Sequence, residues 1–295
     1  MTAKIINGKE IALEMRQEIA KEVKKLKKKF HITPTLAVIL VGSDPASEVY
    51  VGNKEKAAHS VEMNSMQFKM AQDTSEDDLI AKIKELNEDS GVHGILVQLP
   101  LPKHIDSKKV IHAIDYNKDV DGFNILNVGK LSSGDIGGDD GALIPCTPLG
   151  CLHLLKSAAG KDLSGLKTLV IGSSNIVGRP LARLLMNESC TVTIANRSTK
   201  DLKAECLNSD VIISAAGVPN LIMADMVKKD AIIIDVGINR IEIAAGKTKL
   251  VGDVDFENVK EVAAAITPVP GGVGPMTIAY LLKNTLNCYL KQITK

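Results

Sequence analysis

The sequence predicts an α/β protein of two domains, each built on a mainly parallel sheet. Three observations carry this. A chain of 295 residues exceeds what one ordinary hydrophobic core organises. Apolar runs such as "TLAVILVG", "LKTLVIG" and "DVIISAAG" alternate with stretches of helical period. A glycine-rich acidic stretch, "LSSGDIGGDDGALIP" from Leu131 to Pro145, reads as loop and marks a boundary.

In order, Ile11, Met15, Ile19, Val23, Leu26 and Phe30 fall on one face of a helix expected over Gly8–Lys29. "TLAVILVG" is a buried strand, "PASEVYVGNKEKAAHS" a helix, and "SMQFKM" a short strand. Ser75 with Asp78 forms a capping box for the next helix, and "GVHGILVQLPLP" is a strand closed by prolines. In "CTPLG", Thr147 caps a new helix with Pro148 in its first turn. A second series follows: "LKTLVIG" strand, "RPLARLLMNE" helix, "CTVTIANR" strand, "DLKAECLNS" helix, with "DVIISAAG", "AIIIDVGI" and "TKLVGDV" as further strand material. This is the organisation of a Rossmann-like nucleotide-binding domain. The chain closes in a helix-like run, "GPMTIAYLLKNTLNCYLKQI".

Composition narrows the class. Hydrophobic content of 45%, charged content of 24% and a formal charge of +1 suit a globular protein without a nucleic-acid footprint. The basic run "KEVKKLKKKF" reads as a solvated helix face, with an anionic-surface contact as the alternative. No stretch has the character of a membrane span. The five cysteines, Cys146, Cys151, Cys190, Cys206 and Cys288, show no metal-ligand spacing, and no secretory leader precedes them, so a reducing, cytoplasmic setting is expected.

In "VIGSSNIVGRP", Gly172 ends a strand and Gly178 opens a helix. A tight turn there presents backbone amides and a helix amino end to a phosphate. The usual middle glycine of the dinucleotide fingerprint is missing, so on spacing alone a plain structural turn competes; the flanking strands favour nucleotide. The following strand ends "TIANRST" with no acid to hold a ribose hydroxyl. Arg197 there can pair with a 2'-phosphate, which favours NADP over NAD, or it faces solvent.

Tyr50 and Lys54 lie four apart on one helix face. Tyr50 can stack on a flat heterocycle and Lys54 can move protons, against a plainer pairing of surface lysine and half-buried tyrosine. Gln98 ends an apolar strand and faces the usual ligand crevice, with Pro100 and Pro102 stiffening the exit. Asp121, in "DVDGF", can pair with the NH groups of a guanidine-like heterocycle, while Asp119 can be a structural turn acid. "TPVPGGVGPMT" reads as a fixed backbone shape with exposed amides, or as a hinge.

Together "DPASEVYVGNKEKAA", "GILVQLPLP", "DVDGFN", "PCTP", "GSSNIVGRP" and "TPVPGGVGPMT" resemble the bifunctional methylenetetrahydrofolate dehydrogenase/cyclohydrolase family over nearly the whole chain. The resemblance implies a catalytic domain of residues 1–140, with a terminal helix of 275–295 returning to it, and a nucleotide domain of 141–274 across a cleft. It implies tetrahydrofolate derivatives as substrates, a homodimer, and no nucleic-acid or membrane partner. By resemblance Tyr50 stacks on folate, Lys54 is the principal catalytic residue, Gln98 tunes it and Asp121 anchors the pterin. Pro100, Gly271, Gly272 and Val273 complete the expected substrate contacts. The expected cofactor contacts are Gly172, Ser173, Ser174, Ile176, Val177, Gly178, Arg197, Ser198 and Ile238; no metal is expected. Three positions depart from the family. Ser173 stands where arginine is common, and Asn196 and Arg197 replace a histidine–serine pair, so NADP is expected with NAD as the alternative. The implied activity is oxidation of 5,10-methylenetetrahydrofolate, then hydrolysis of the methenyl product to 10-formyltetrahydrofolate. Competing readings are a monofunctional or NAD-linked folate dehydrogenase, a dehydrogenase of another small substrate, and a non-catalytic binding protein of the same fold.

Overall fold

The computed structural model describes residues 2–137, 140–244 and 247–293. Strand β1 (Lys4–Ile5) and helix α1 (Gly8–Phe30) open the chain, followed by β2 (Thr35–Val41), α2 (Pro45–Ser60), β3 (Asn64–Met70), α3 (Glu76–Glu88) and β4 (Gly94–Val97). Three helices come next, α4 (Ser107–Ala113), α5 (Ile125–Ser133) and α6 (Cys146–Ala159). The second half holds β5 (Lys167–Ile171), α7 (Gly178–Asn187), β6 (Thr191–Ala195), α8 (Leu202–Leu207), β7 (Val211–Ser214) and β8 (Ile232–Asp235). It ends with β9 (Asn239–Ala244), β10 (Lys247–Val251), α9 (Phe256–Val259), β11 (Ala265–Ile266) and α10 (Val273–Ile293). Among the described residues no helix is long and apolar enough to cross a membrane.

The chain divides into two compact units: Leu13–Cys146 with Ile278–Lys295, and Met1–Ala12 with Thr147–Thr277. In the first, β2 is the centre of a parallel sheet ordered β3-β2-β4. All seven residues of β2 are buried, because helices cover both faces. Ala37, Ile39 and Val41 point to Leu79, Ile83 and Leu86 of α3 and Val110 of α4. Leu36, Val38 and Leu40 point to Val51 of α2 and to Leu281 and Cys288 of α10. Full burial of each such leucine or isoleucine contributes about 1.5–3 kcal/mol. Helix α2 starts where "SDP" puts Asp44 at the N-cap, accepting from Ser47 N at 2.8 Å, with Pro45 in the first turn. Ser75 caps α3 in the same way through Asp78 N.

The second unit is a six-stranded parallel sheet ordered β1-β11-β8-β7-β5-β6. From β5 the chain steps to β6 on one side and then to β7 on the other. The β5/β7 junction is therefore the topological switch point, where ligands bind at the carboxyl ends of the strands.

The α/β class and the parallel sheets agree with the sequence reading. Four details differ. Residues 2–12 group with the unit of the six-stranded sheet, because β1 pairs with β11; a two-residue strand is too short to show a period. Helix α6 starts at Cys146, so Thr147 lies inside its first turn, and its hydroxyl meets Thr277 Oγ1 at 3.0 Å. The loop expected from Leu131 begins later, since α5 runs to Ser133 and stops at Gly134 in the left-handed conformation, φ 87°; Gly138 and Asp139 of that loop lie outside the described residues. "TKLVGDV" does not join the main sheet: β10 pairs antiparallel with β9 as a separate hairpin.

Candidate active site

Helix α2 places Tyr50 and Lys54 one turn apart, with Tyr50 42% exposed and Lys54 half-buried. At the carboxyl end of β4, Gln98 Oε1 accepts a hydrogen bond from Lys54 Nζ at 2.9 Å. Its own Nε2 donates to Leu99 O at 2.6 Å, which fixes the amide with its oxygen toward the lysine. The Leu99–Pro100 peptide is cis, and Pro100 is exposed.

Asp121 is set by its neighbours. Lys118 is buried and donates to the carbonyls of Leu86, Asn87 and Asp89, the end of α3. Ile95 N bonds Lys118 O at 2.7 Å, tying this segment to β4. Asp119 is buried and accepts from Asn124 N at 2.8 Å and Asn127 Nδ2 at 3.0 Å, so it is the structural acid of the turn. Gly122, φ 69°, packs so closely on the next segment that a Cβ would lie 2.5 Å from Leu143 O. Asp121 thus stands in a rigid turn beside a small pocket it lines with Asp119, Leu99 and Phe123.

Burial dominates the electrostatics here. It pushes the Lys54 ammonium below the usual lysine range, opposed chiefly by the charge of Asp121. It pushes the Asp121 carboxyl up, opposed by Lys54. Burial raises Asp119 to about 6 despite its amide donors. The result is a lysine with one neutral hydrogen-bond partner and one nearby acid.

In the other unit, the loop after β5 forms a cradle. Gly172 takes φ 112°, and a Cβ there would lie 2.4 Å from Ala215 O. A Cβ on Gly178 would lie 1.9 Å from Gly172 O, so the helix can start this close to the strand only through glycine. Ser174 Oγ accepts from Val177 N at 3.2 Å and Gly178 N at 3.4 Å. The first helical amides are therefore engaged within the loop, where the sequence suggested they would face a ligand. The amides of Ser173, Ser174, Asn175 and Ile176 make no hydrogen bond among the described residues and are the donors left for a phosphate. After β6, Asn196 Oδ1 accepts from Ser198 N at 2.9 Å, a turn that presents Arg197 and Ser198 exposed. Arg197 has no hydrogen bond or ion pair among the described residues.

The tetrahydrofolate dehydrogenase/cyclohydrolase catalytic-domain profile matches residues 6–121, and the NAD(P)-binding-domain profile of the same family matches residues 145–293. The chain belongs to the tetrahydrofolate dehydrogenase/cyclohydrolase family. It is 56% identical over 286 residues to the bifunctional protein FolD of Cereibacter sphaeroides, across 97% of this chain and 94% of that protein. The structure of the bifunctional enzyme FolD from Campylobacter jejuni matches with TM-score 0.92 and 46% identity, over 98% of this chain and 99% of that one. That of the Trypanosoma brucei methylenetetrahydrofolate dehydrogenase-cyclohydrolase, complexed with NADP cofactor and inhibitor, matches with TM-score 0.94 and 34% identity, over 100% of both chains.

In this member of the tetrahydrofolate dehydrogenase/cyclohydrolase family, Gly271, Gly272 and Val273 are buried, not the exposed amides the sequence suggested. The loop is wedged by its neighbours: a Cβ on Gly8 would lie 1.9 Å from Gly272 O, and Lys9 N bonds Gly271 O at 3.1 Å. Ile238, after β8, is 49% exposed, and Ile176 is 43% exposed, two apolar surfaces beside the sheet's carboxyl ends. Sequence reasoning missed Asn284. It is buried on α10 and donates to Val120 O at 2.8 Å and Ile144 O at 2.9 Å, pinning the residue before Asp121. The available signal was an asparagine, one of two with Asn287, in an apolar terminal helix.

Proposed function

We propose that this protein oxidises 5,10-methylenetetrahydrofolate with NADP and hydrolyses the resulting 5,10-methenyltetrahydrofolate to 10-formyltetrahydrofolate, with Lys54 as the group that moves protons. The observation that carries the reading is the Lys54 ammonium held at 2.9 Å from Gln98 Oε1, with burial pulling its pKa down and Asp121 within electrostatic reach. The dinucleotide fits the second unit: Gly172 and Gly178 let the loop and the helix start pack too closely for any Cβ, four consecutive amides make no hydrogen bond among the described residues, and Arg197 at the end of β6 has no partner among them.

NADP, when bound, supplies the hydride acceptor. Tyr50 offers its exposed ring to the face of the pterin, and Asp121 accepts from pterin NH groups. Oxidation leaves a cation delocalised over the two folate nitrogens. That like charge near Lys54 adds to burial in favouring the neutral amine. Neutral Lys54 takes a proton from the water that attacks the methenyl carbon and returns it to the departing ring nitrogen, while the remaining hydroxyl proton is released to solvent as the formyl carbonyl forms. Gln98 keeps Nζ oriented in both states because its carbonyl adds no charge. The five cysteines are free thiols, which supports a reducing, cytoplasmic setting. A homodimer, implied by the family resemblance, belongs to the same reading and is checked by sedimentation.

The deciding assay supplies methylenetetrahydrofolate and NADP and follows NADPH absorbance, with methenyl loss measured separately without cofactor. Folate-dependent NADPH formation and methenyl loss faster than in buffer are expected. Absence of the first removes the dehydrogenase, and absence of the second removes the cyclohydrolase. Repeating the assay with NAD sets the cofactor preference.

A further inference from the structure

We infer that Asp253 is a positioning residue for the dinucleotide: its buried carboxylate fills the amide nest of the turn after β7 and holds that turn against the Gly172 loop. The inference rests on the dinucleotide reading of this unit.

Three successive backbone amides converge on this side chain. Ala216 N at 2.8 Å and Gly217 N at 3.1 Å donate to Oδ2, and Val218 N at 3.0 Å donates to Oδ1. Ser214 Oγ adds a donor to Oδ2 at 3.0 Å, and Asn239 Nδ2 one to Oδ1 at 2.9 Å. Gly217 takes φ 68°, the left-handed conformation that lets consecutive amides point inward. Such a concavity at the carboxyl end of a parallel strand, at the switch point, is a natural anion site. Here an internal carboxylate occupies it. A ligand phosphate is thereby confined to the free amides of Ser173–Ile176, and the crevice has one phosphate cradle in place of two.

The turn also touches that cradle. Ala215 O is the atom a Cβ on Gly172 would meet, so a shift of the turn reaches Gly172 without an intermediary. Asp253 is itself held in place: Asp253 N at 3.0 Å and Gly237 N at 2.9 Å donate to Asp235 Oδ1, and Val254 N at 3.0 Å donates to Asp235 Oδ2. The two carboxylates account for two glycines. A Cβ on Gly237 would lie 2.2 Å from Asp253 Oδ1, and one on Gly252 would lie 1.8 Å from Asp235 Oδ2. The segments "DVGI" and "VGDVD" therefore form one unit, whose output is the placement of the Ala215–Val218 turn.

The test is Asp253→Asn, which keeps the shape but turns one acceptor oxygen into a donor, so part of the nest loses its acceptor. Titration of the purified protein should show the NADP dissociation constant rising roughly tenfold or more. NAD should weaken by the same factor, and the dinucleotide KM should move more than kcat. Methenyl hydrolysis without cofactor should stay near the wild-type rate. Ser214→Ala, which removes a single donor, should shift NADP binding in the same direction by less. Unchanged NADP affinity in Asp253→Asn overturns the inference. So does a parallel fall of hydrolysis and dinucleotide binding, which marks a merely structural acid. If Asp253→Asn does not fold, Ser214→Ala and Asn239→Ala decide, and unchanged NADP binding in both overturns it. A wild-type protein that binds NADP but oxidises no methylenetetrahydrofolate would remove the dehydrogenase reading and leave this binding test intact.

Discussion

Lys54 and Asp253 are treated in opposite ways by their surroundings. Lys54 Nζ has one hydrogen bond among the described residues, to a neutral amide, and a carboxylate that acts on it through space. Asp253 accepts five, three of them from backbone. A group that must gain and lose a proton in turnover cannot be satisfied in only one charge state. A group that must hold a turn gains from being satisfied in only one. On the proposed function, under-satisfied side chains mark the chemistry in the first unit, and saturated carboxylates with close-packed glycines mark the geometry in the second.

The largest effect should come from removing the under-satisfied group. Lys54→Met keeps the length of the side chain but not the proton, and methenyl hydrolysis should fall by about a thousandfold, the range of a lost general base. Circular dichroism and the unfolding midpoint should change little, since the hydrogen-bond partner Gln98 is neutral and Asp121, without the ammonium, is pushed further toward its neutral form. Near-normal hydrolysis in the variant would remove Lys54 from the mechanism and with it the contrast with Asp253.

Asp121→Asn tests whether the acid near Lys54 serves folate. A charge-assisted pair with pterin NH groups is worth about 1.5–3 kcal/mol, so folate affinity should drop by roughly ten- to a hundredfold. NADP affinity should be unchanged. A second signature distinguishes the variant: without the carboxylate, the lysine loses the charge that raises its pKa, and the acidic limb of the hydrolysis profile, which reports deprotonation of the base, should move to lower pH. Equal losses for both ligands, by titration, would contradict the assignment.

Local motifs made the first unit legible. Tyr50 and Lys54 share one helix, Gln98 ends a strand, and Asp121 sits in the turn closed by Gly122 N on Asp119 O, so short windows contain what each needs. The glycine loop was legible as a cradle for the same reason, although the use of its helical amides by Ser174 was not. Asp253 was hidden because its donor Ala216 is 37 residues away, and Asn284 because its acceptor Val120 is 164 away. Strands β1 and β11 have two residues each and exist only through their pairing. Gly8 reads as an ordinary helix start until Gly272 is placed against it.

His93 sharpens the comparison, because it is a buried, satisfied group inside the catalytic unit. Its Nδ1 accepts from Thr35 N at 3.1 Å, which requires the neutral ring, and the ring meets Tyr289 edge-on at 4.9 Å. Burial, helped by Lys118, lowers its pKa from 6.5 to about 4. The unfolded chain therefore takes up a proton at higher pH than the folded one. The stabilisation is fully present above pH 6.5 and is lost as the pH falls toward 4. Between pH 7 and 5 the loss is about 2 kcal/mol. The gap in unfolding free energy between wild type and His93→Gln should shrink by that amount over the same interval, measured by urea denaturation. A gap independent of pH would show that the ring is not held neutral. Taking the difference cancels the opposite trend from Asp119 and Asp235, both raised to about 6 by burial.

The smallest effect belongs to Arg197, and it separates two kinds of cofactor residue. Asp253 acts on the shape of the crevice, so its loss should weaken NADP and NAD alike. Arg197 is an exposed cation on a turn ordered by Asn196, without a partner among the described residues, and the proposed function gives it the 2'-phosphate as one. An exposed pair is worth little, so Arg197→Ala should raise the NADP KM by roughly fivefold. NAD, which lacks the phosphate, should be nearly unaffected. Raising the salt should narrow the wild-type preference for NADP, because solvent ions screen a pair at the surface. The comparison needs kcat/KM for both cofactors at fixed low ionic strength. An equal fall with both would place Arg197 with Asp253 among the residues that shape the crevice. A selective fall with NADP would leave shape to the buried carboxylate and phosphate recognition to the exposed guanidinium.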